Sequence, residues 1–96
     1  MKHGVILVNA ARGAVMDEEA VAKAVLEGKI GGFGCDVYSA EPMSADHPYQ
    51  RLLGLSNVLL TPHMAWGAYE ARVRCLQEVA ENIRAFYRGE RRCRVD

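Results

Sequence analysis

Three short apolar runs, each closing on a different ionisable residue, constrain this chain more than any other feature. Val5-Ile6-Leu7-Val8 leads into Asn9-Ala10-Ala11-Arg12-Gly13, and Gly31-Gly32-Phe33-Gly34-Cys35 into Asp36-Val37-Tyr38-Ser39-Ala40-Glu41-Pro42. Asn57-Val58-Leu59-Leu60 leads into Thr61-Pro62-His63. Short apolar runs bounded by Gly, Pro and Asn suit buried strands. Between the first two, Asp17-Glu18-Glu19 starts a helix well, because carboxylates accept from free backbone N–H groups and suit the positive end of the helix dipole. Ala20, Val21, Ala24 and Val25 then recur at helical spacing, and Gly28 is a natural stop. Strand 5–10, helix 17–27 and strand 31–36 form a βαβ unit, which requires parallel strands and a right-handed crossover.

Residues 39–56, with Pro42, Pro48 and Gly54, are expected to form a long loop. The third strand is expected at 57–60. A helix over 67–88 follows, with Val73, Leu76, Ala80, Ile83 and Tyr87 in one apolar stripe. Gly89 ends it, and the polar tail 90–96 has room for a short strand at Arg94-Val95. Three parallel strands and two helices cannot cover both faces of a sheet, and parallel sheets are covered on both. The chain therefore reads as part of a larger α/β domain.

Ninety-six residues allow one domain. Twelve basic and twelve acidic residues cancel, which argues against a nucleic-acid partner. The basic cluster Arg88, Arg91, Arg92 and Arg94 is expected to solvate a chain end. No apolar stretch has the length of a signal peptide or a membrane span, so no membrane partner is expected. Cys35, Cys75 and Cys93 are odd in number and lack metal-type spacing, which points away from disulfides and metal sites and toward a reducing cytoplasm.

In open parallel sheets, ligands bind beyond the carboxyl ends of the strands. Arg12, Asp36 with Glu41, and His63 are therefore expected to converge on one edge. An arginine, a carboxylate and a histidine are the parts of a proton-transfer site for an anionic substrate. Arg12 can grip a carboxylate in bidentate fashion, or serve a salt bridge in a loop. His63, stiffened by Pro62, can donate a proton near neutral pH with Glu41 as partner, or cap the next helix. Asp36 can bind a polar ligand or cap its loop. Trp66 can pack at the helix entrance or wall a pocket. His3 and His47 are expected to be solvated.

Together the three segments resemble the C-terminal part of the D-isomer-specific 2-hydroxyacid dehydrogenases, with order and spacing matching over residues 1–89. The resemblance implies an α/β fold: the C-terminal half of a Rossmann-like NAD(P)-binding domain occupying residues 1–96. It implies hydride transfer between NAD(P)H and a 2-keto or D-2-hydroxy acid. Arg12 would bind the substrate carboxylate, His63 would be the acid–base, and Glu41 would pair with His63. Asp36 would contact the nicotinamide end of the cofactor, and Ala10, Ala11 and Trp66 would line the cofactor and substrate pocket. The stretch His63-Met64-Ala65-Trp66-Gly67-Ala68-Tyr69-Glu70-Ala71-Arg72 is most similar to members acting on hydroxypyruvate and glycerate. The chain departs from the family in lacking a G-x-G-x-x-G turn that opens a helix, since Gly31-Gly32-Phe33-Gly34 is in the wrong context. It is therefore expected to be a fragment, inactive alone, self-associating through its exposed surfaces, with NAD or NADP as cofactor. Alternatives are a non-enzymatic, NAD-responsive corepressor-like protein and an inert truncated remnant.

Overall fold

The computed structural model describes residues 1–95. The chain forms two compact units, Met1–Ala65 and Trp66–Asp96.

The first unit is built on three parallel strands, β1 (Val5–Asn9), β2 (Ile30–Cys35) and β3 (Val58–Leu60), in that spatial order. β1 and β2 end one residue earlier than expected, because Ala10 and Asp36 already belong to the turns that follow. Asp36 still donates its backbone N–H to the Asn9 carbonyl at 2.9 Å, so the ladder runs into those turns. Side chains alternate between the two faces. Val5 and Leu7 of β1, Phe33 and Cys35 of β2, and Val58 and Leu60 of β3 join the core. Ile6, Val8 and Leu59 point away from it and remain 75%, 69% and 67% exposed.

Helix α1 (Glu18–Leu26) covers the core face through Val21, Ala22 and Val25. The Asp17 carboxylate caps it by accepting from the Ala20 N–H at 2.9 Å. Gly28, at φ +71°, then turns the chain through the left-handed region toward β2.

The expected loop 39–56 is not all loop. Pro48–Leu52 forms a 3₁₀ turn whose Tyr49 and Leu52 are completely buried beneath the sheet. In a 3₁₀ turn, residues i and i+3 eclipse, so both side chains enter the core together. Pro48 suits the first turn, where its missing N–H is not needed, and His47 Nδ1 accepts the Tyr49 N–H at 3.1 Å. The Tyr49 ring meets Phe33 edge to face at 5.0 Å. Burying the Leu52 side chain contributes roughly 1.5–3 kcal/mol. His47, expected to be solvated, is buried. It caps this turn and pairs with Glu18 on α1.

The second unit contains α2 (Tyr69–Tyr87), which starts two residues later than expected. Ala68 stands at its N-cap without a side-chain acceptor. Of the expected stripe, Leu76, Ile83 and Tyr87 are exposed. Arg94-Val95 is not a strand. The tail instead runs back along α2, where Arg92 bonds Asn82 and pairs with Glu78 at 2.6 Å. The basic cluster is thus tied down at Arg92 rather than wholly solvated. Among the described residues no helix is long and apolar enough to cross a membrane.

Candidate active site

Each of the three turns beyond the carboxyl ends of the strands is held by its own polar staple. After β1, buried Asn9 donates from Nδ2 to the Arg12 carbonyl at 3.0 Å and accepts the Ala11 N–H on Oδ1 at 3.1 Å. This presents Ala10, Ala11 and Arg12 on the exposed side. The Arg12 guanidinium donates to the Ala11 carbonyl at 2.7 Å.

After β3, Asp36 holds the turn that carries His63. Its Oδ1 accepts from Thr61 Oγ1 at 2.5 Å and from the Met64 N–H at 2.9 Å, and its Oδ2 accepts from the Ala65 N–H at 2.9 Å. These bonds to the charged form, with Thr61 first, hold the carboxyl below the usual aspartate range. His63 itself sits at φ +51°, in the left-handed region that non-glycine residues seldom occupy. Such a backbone costs of order 1–3 kcal/mol and persists where its surroundings over-determine it.

After β2, the segment Asp36–Pro42 brings in the second carboxylate. Glu41 Oε1 accepts the Tyr38 N–H at 3.0 Å, and Glu41 Oε2 lies 2.7 Å from His63 Nδ1. The hydrogen bond from His63, then that from Tyr38, holds Glu41 below the usual glutamate range, and the charge of Arg12 adds to this. The Tyr38 hydroxyl donates to the Thr61 carbonyl at 2.9 Å, joining this loop to the β3 turn. A cavity of about 360 Å³ adjoins the pair, with Met43, Leu53, Leu60 and Pro62 among its lining. Apolar walls strengthen electrostatic contacts beside them.

Gly13 locks the first turn to the second. A Cβ there would fall 2.1 Å from the Tyr38 carbonyl carbon and 2.2 Å from the Ser39 nitrogen. Only glycine allows the loop backbone to lie directly against the arginine turn.

Arg12, Asp36, Glu41 and His63 thus all stand at one sheet edge. Trp66 belongs to the second unit, where it lines a cavity with Ala71, Arg72, Cys75 and Leu76. The sequence reading passed over Gly13, Tyr38, Glu18 and His47 as parts of this framework. The signals available were a glycine directly after the arginine and a histidine directly before a proline. With Nδ1–H donating to the Glu41 carboxylate, Nε2 is the ring nitrogen left to exchange a proton with a reacting group. A guanidinium nearby suits a substrate carboxylate.

A parallel sheet with its polar residues gathered beyond the carboxyl ends of the strands places the chain among the open α/β proteins, which bind ligands at that end. Residues 1–65 match the sequence profile of the D-isomer specific 2-hydroxyacid dehydrogenase, NAD binding domain. The chain belongs to that family. It is 50% identical over 90 residues to a glyoxylate reductase of Korarchaeum cryptofilum, covering 94% of this chain and 26% of that protein. It is 38% identical over 89 residues to a hydroxypyruvate reductase of Blautia hydrogenotrophica, covering 93% of this chain and 27% of that protein. The D-isomer specific 2-hydroxyacid dehydrogenase of Xanthobacter autotrophicus Py2, solved with NADPH and MES, superposes with a TM-score of 0.69 at 33% identity. That match covers 97% of this chain and 36% of the Xanthobacter chain. The chain therefore spans about a quarter of the length of the two curated relatives.

Proposed function

We propose that residues 1–96 are the C-terminal half of a Rossmann-like NAD(P)-binding domain, and that they carry the acid–base half of a dehydrogenase acting on a small 2-keto acid such as glyoxylate or hydroxypyruvate. The Glu41–His63 pair at 2.7 Å, on the same sheet edge as the Arg12 turn, carries this reading.

The nicotinamide end of the cofactor fits the residues present. Ala10 and Ala11 are small and exposed beside Arg12, leaving room for a flat ring. Asp36 Oδ2 accepts from Ala65 and has a further lone pair for a carboxamide N–H. The diphosphate end does not fit the glycine run Gly31–Gly34, which lies inside β2 rather than at a helix N-terminus. When bound, NAD(P)H would supply the hydride. Arg12 would bind the substrate carboxylate and align the ketone with His63. His63 Nε2 would give its proton to the carbonyl oxygen as hydride reaches the carbon, leaving a neutral imidazole and a 2-hydroxy acid. Glu41 would hold Nδ1–H and stabilise the imidazolium before transfer.

The reading extends to surroundings. Ile6, Val8 and Leu59 leave one sheet face apolar and exposed, which supports self-association into a homo-oligomer. The free thiols Cys35, Cys75 and Cys93 are compatible with a reducing cytoplasm.

The test is a chimera in which this chain replaces the matching segment of the Korarchaeum cryptofilum relative. It should oxidise NADH or NADPH with glyoxylate or hydroxypyruvate, whereas the isolated chain should not. His63→Gln should lower kcat by roughly 10²–10⁴. A folded chimera without turnover, or one indifferent to His63→Gln, overturns the reading.

A further inference from the structure

We infer that Glu18, on the first turn of α1, is a positioning residue for the Glu41–His63 pair, acting through the loop that carries Glu41. The inference rests on the reading of that pair as the acid–base unit.

A glutamate in the first turn of a helix ordinarily needs no explanation beyond the dipole. Glu18 does more, because its side chain is only 10% exposed and its carboxylate is fully engaged by residues 21 and 29 positions away. Oε1 accepts the Ser39 N–H at 2.8 Å. Oε2 accepts from Ser39 Oγ at 2.5 Å and faces His47 Nε2 at 3.0 Å. The tautomer of His47 follows from its other nitrogen. Nδ1 accepts the Tyr49 N–H, so Nε2 carries the proton and donates to Glu18. The three donors bracket Glu41 in sequence, Ser39 on one side and His47 on the other.

The consequence runs through the backbone. Tyr38 N–H holds Glu41 Oε1, and the next N–H, that of Ser39, is held by Glu18. Two adjacent amides thus point to two carboxylates, one rooted in α1 and one facing His63. The same Tyr38-Ser39 peptide lies against Gly13, next to Arg12. Fixing Ser39 therefore fixes both the reach of Glu41 toward His63 and the seat of the arginine turn. Bonds to a charged, nearly buried acceptor are the strong class of hydrogen bond, so the clamp is stiff enough to transmit position.

The test reads the His63 Nδ1–H proton by NMR of the complete chain, through its low-field shift and its exchange rate with water. Glu41→Gln is the reference variant and should abolish the low-field signal. Glu18→Gln, which keeps size but removes the charge, should speed exchange of that proton about tenfold, with the β1–β3 amide pattern retained. Ser39→Ala, which removes one of the three bonds, should give a smaller change in the same direction. If Glu18→Gln fails to fold, Ser39→Ala alone decides by the same signal. Exchange unchanged in the folded Glu18 variant, or in Ser39→Ala when that variant decides, overturns the role of Glu18 and leaves the pair intact. A low-field signal indifferent to Glu41→Gln overturns the pairing itself, and the role of Glu18 with it.

Discussion

Glu41 Oε2 and His63 Nδ1 stand 2.7 Å apart although 22 residues of chain separate them, and the contact joins the loop after β2 to the turn after β3. The hydrogen bond from His63 is the foremost cause of the lowered Glu41 pKa. Because the folded value lies below the unfolded one, near 4.3, the pairing stabilises the fold above about pH 4.3 and is lost as pH falls through the lowered value. Carbon-detected titration of the Glu41 carboxyl should give a midpoint below that of a free glutamate. A midpoint at or above the free value would count against the pairing.

The left-handed backbone of His63 predicts an unusual order of variants. His63→Gly should be more stable than His63→Ala by about 1–2 kcal/mol, since alanine keeps the Cβ that disfavours this region and glycine does not. Elsewhere in a folded chain the difference is small or reversed. Urea unfolding of the two variants is the check, and equal midpoints would mean the turn relaxes out of its left-handed geometry.

At Gly13 a single methyl group should be costly. Gly13→Ala places a Cβ within 2.5 Å of three backbone atoms of Tyr38 and Ser39, none of which can rotate away. A loss of roughly 1–3 kcal/mol is expected, as for overpacking in a core. The Glu41 loop should also be displaced, visible as shifts of the Tyr38 and Ser39 amide signals. A variant as stable as the parent would mean that the two turns part easily.

Tyr49 offers the opposite case. Its ring is completely buried and its hydroxyl finds no hydrogen-bond partner among the described residues, while burial pushes its pKa up. Tyr49→Phe keeps the edge-to-face contact with Phe33 and removes an unsatisfied polar atom. Thermal melting should show equal or higher stability, by up to about 1–3 kcal/mol. A marked loss would reveal a partner for the hydroxyl.

The legible part of this fold is the part written in local pattern. The apolar runs locate β1, β2 and β3 to within a residue or so, and Asp17 and Gly28 bracket α1 as their chemistry requires. The convergence of Arg12, Asp36, Glu41 and His63 follows from parallel topology alone, since parallel strands deliver their carboxyl ends to one side. What escaped is non-local. His47 looked solvated because its partners are a carboxylate 29 residues upstream and a backbone amide in a 3₁₀ turn, and a 3₁₀ turn has no 3.6-residue period to reveal it. Tyr49 and Leu52 were hidden in the same way. The late start of α2 reflects Ala68, which cannot signal a cap that its side chain does not make.

β3 is three residues long and, among the described residues, pairs with β2 alone, through Phe33, Gly34 and Cys35. A short edge strand is among the first parts of a sheet to open and close in the native state. Arg12 is anchored by β1 and the Asn9 staple, whereas His63 is anchored by three-residue β3 and by the Asp36 bonds to Thr61, Met64 and Ala65. Each brief detachment of β3 would therefore disturb the Glu41–His63 pair while leaving Arg12 in place. Deuterium uptake at Thr61, whose N–H reaches back to the Cys35 carbonyl, should report on how often β3 detaches.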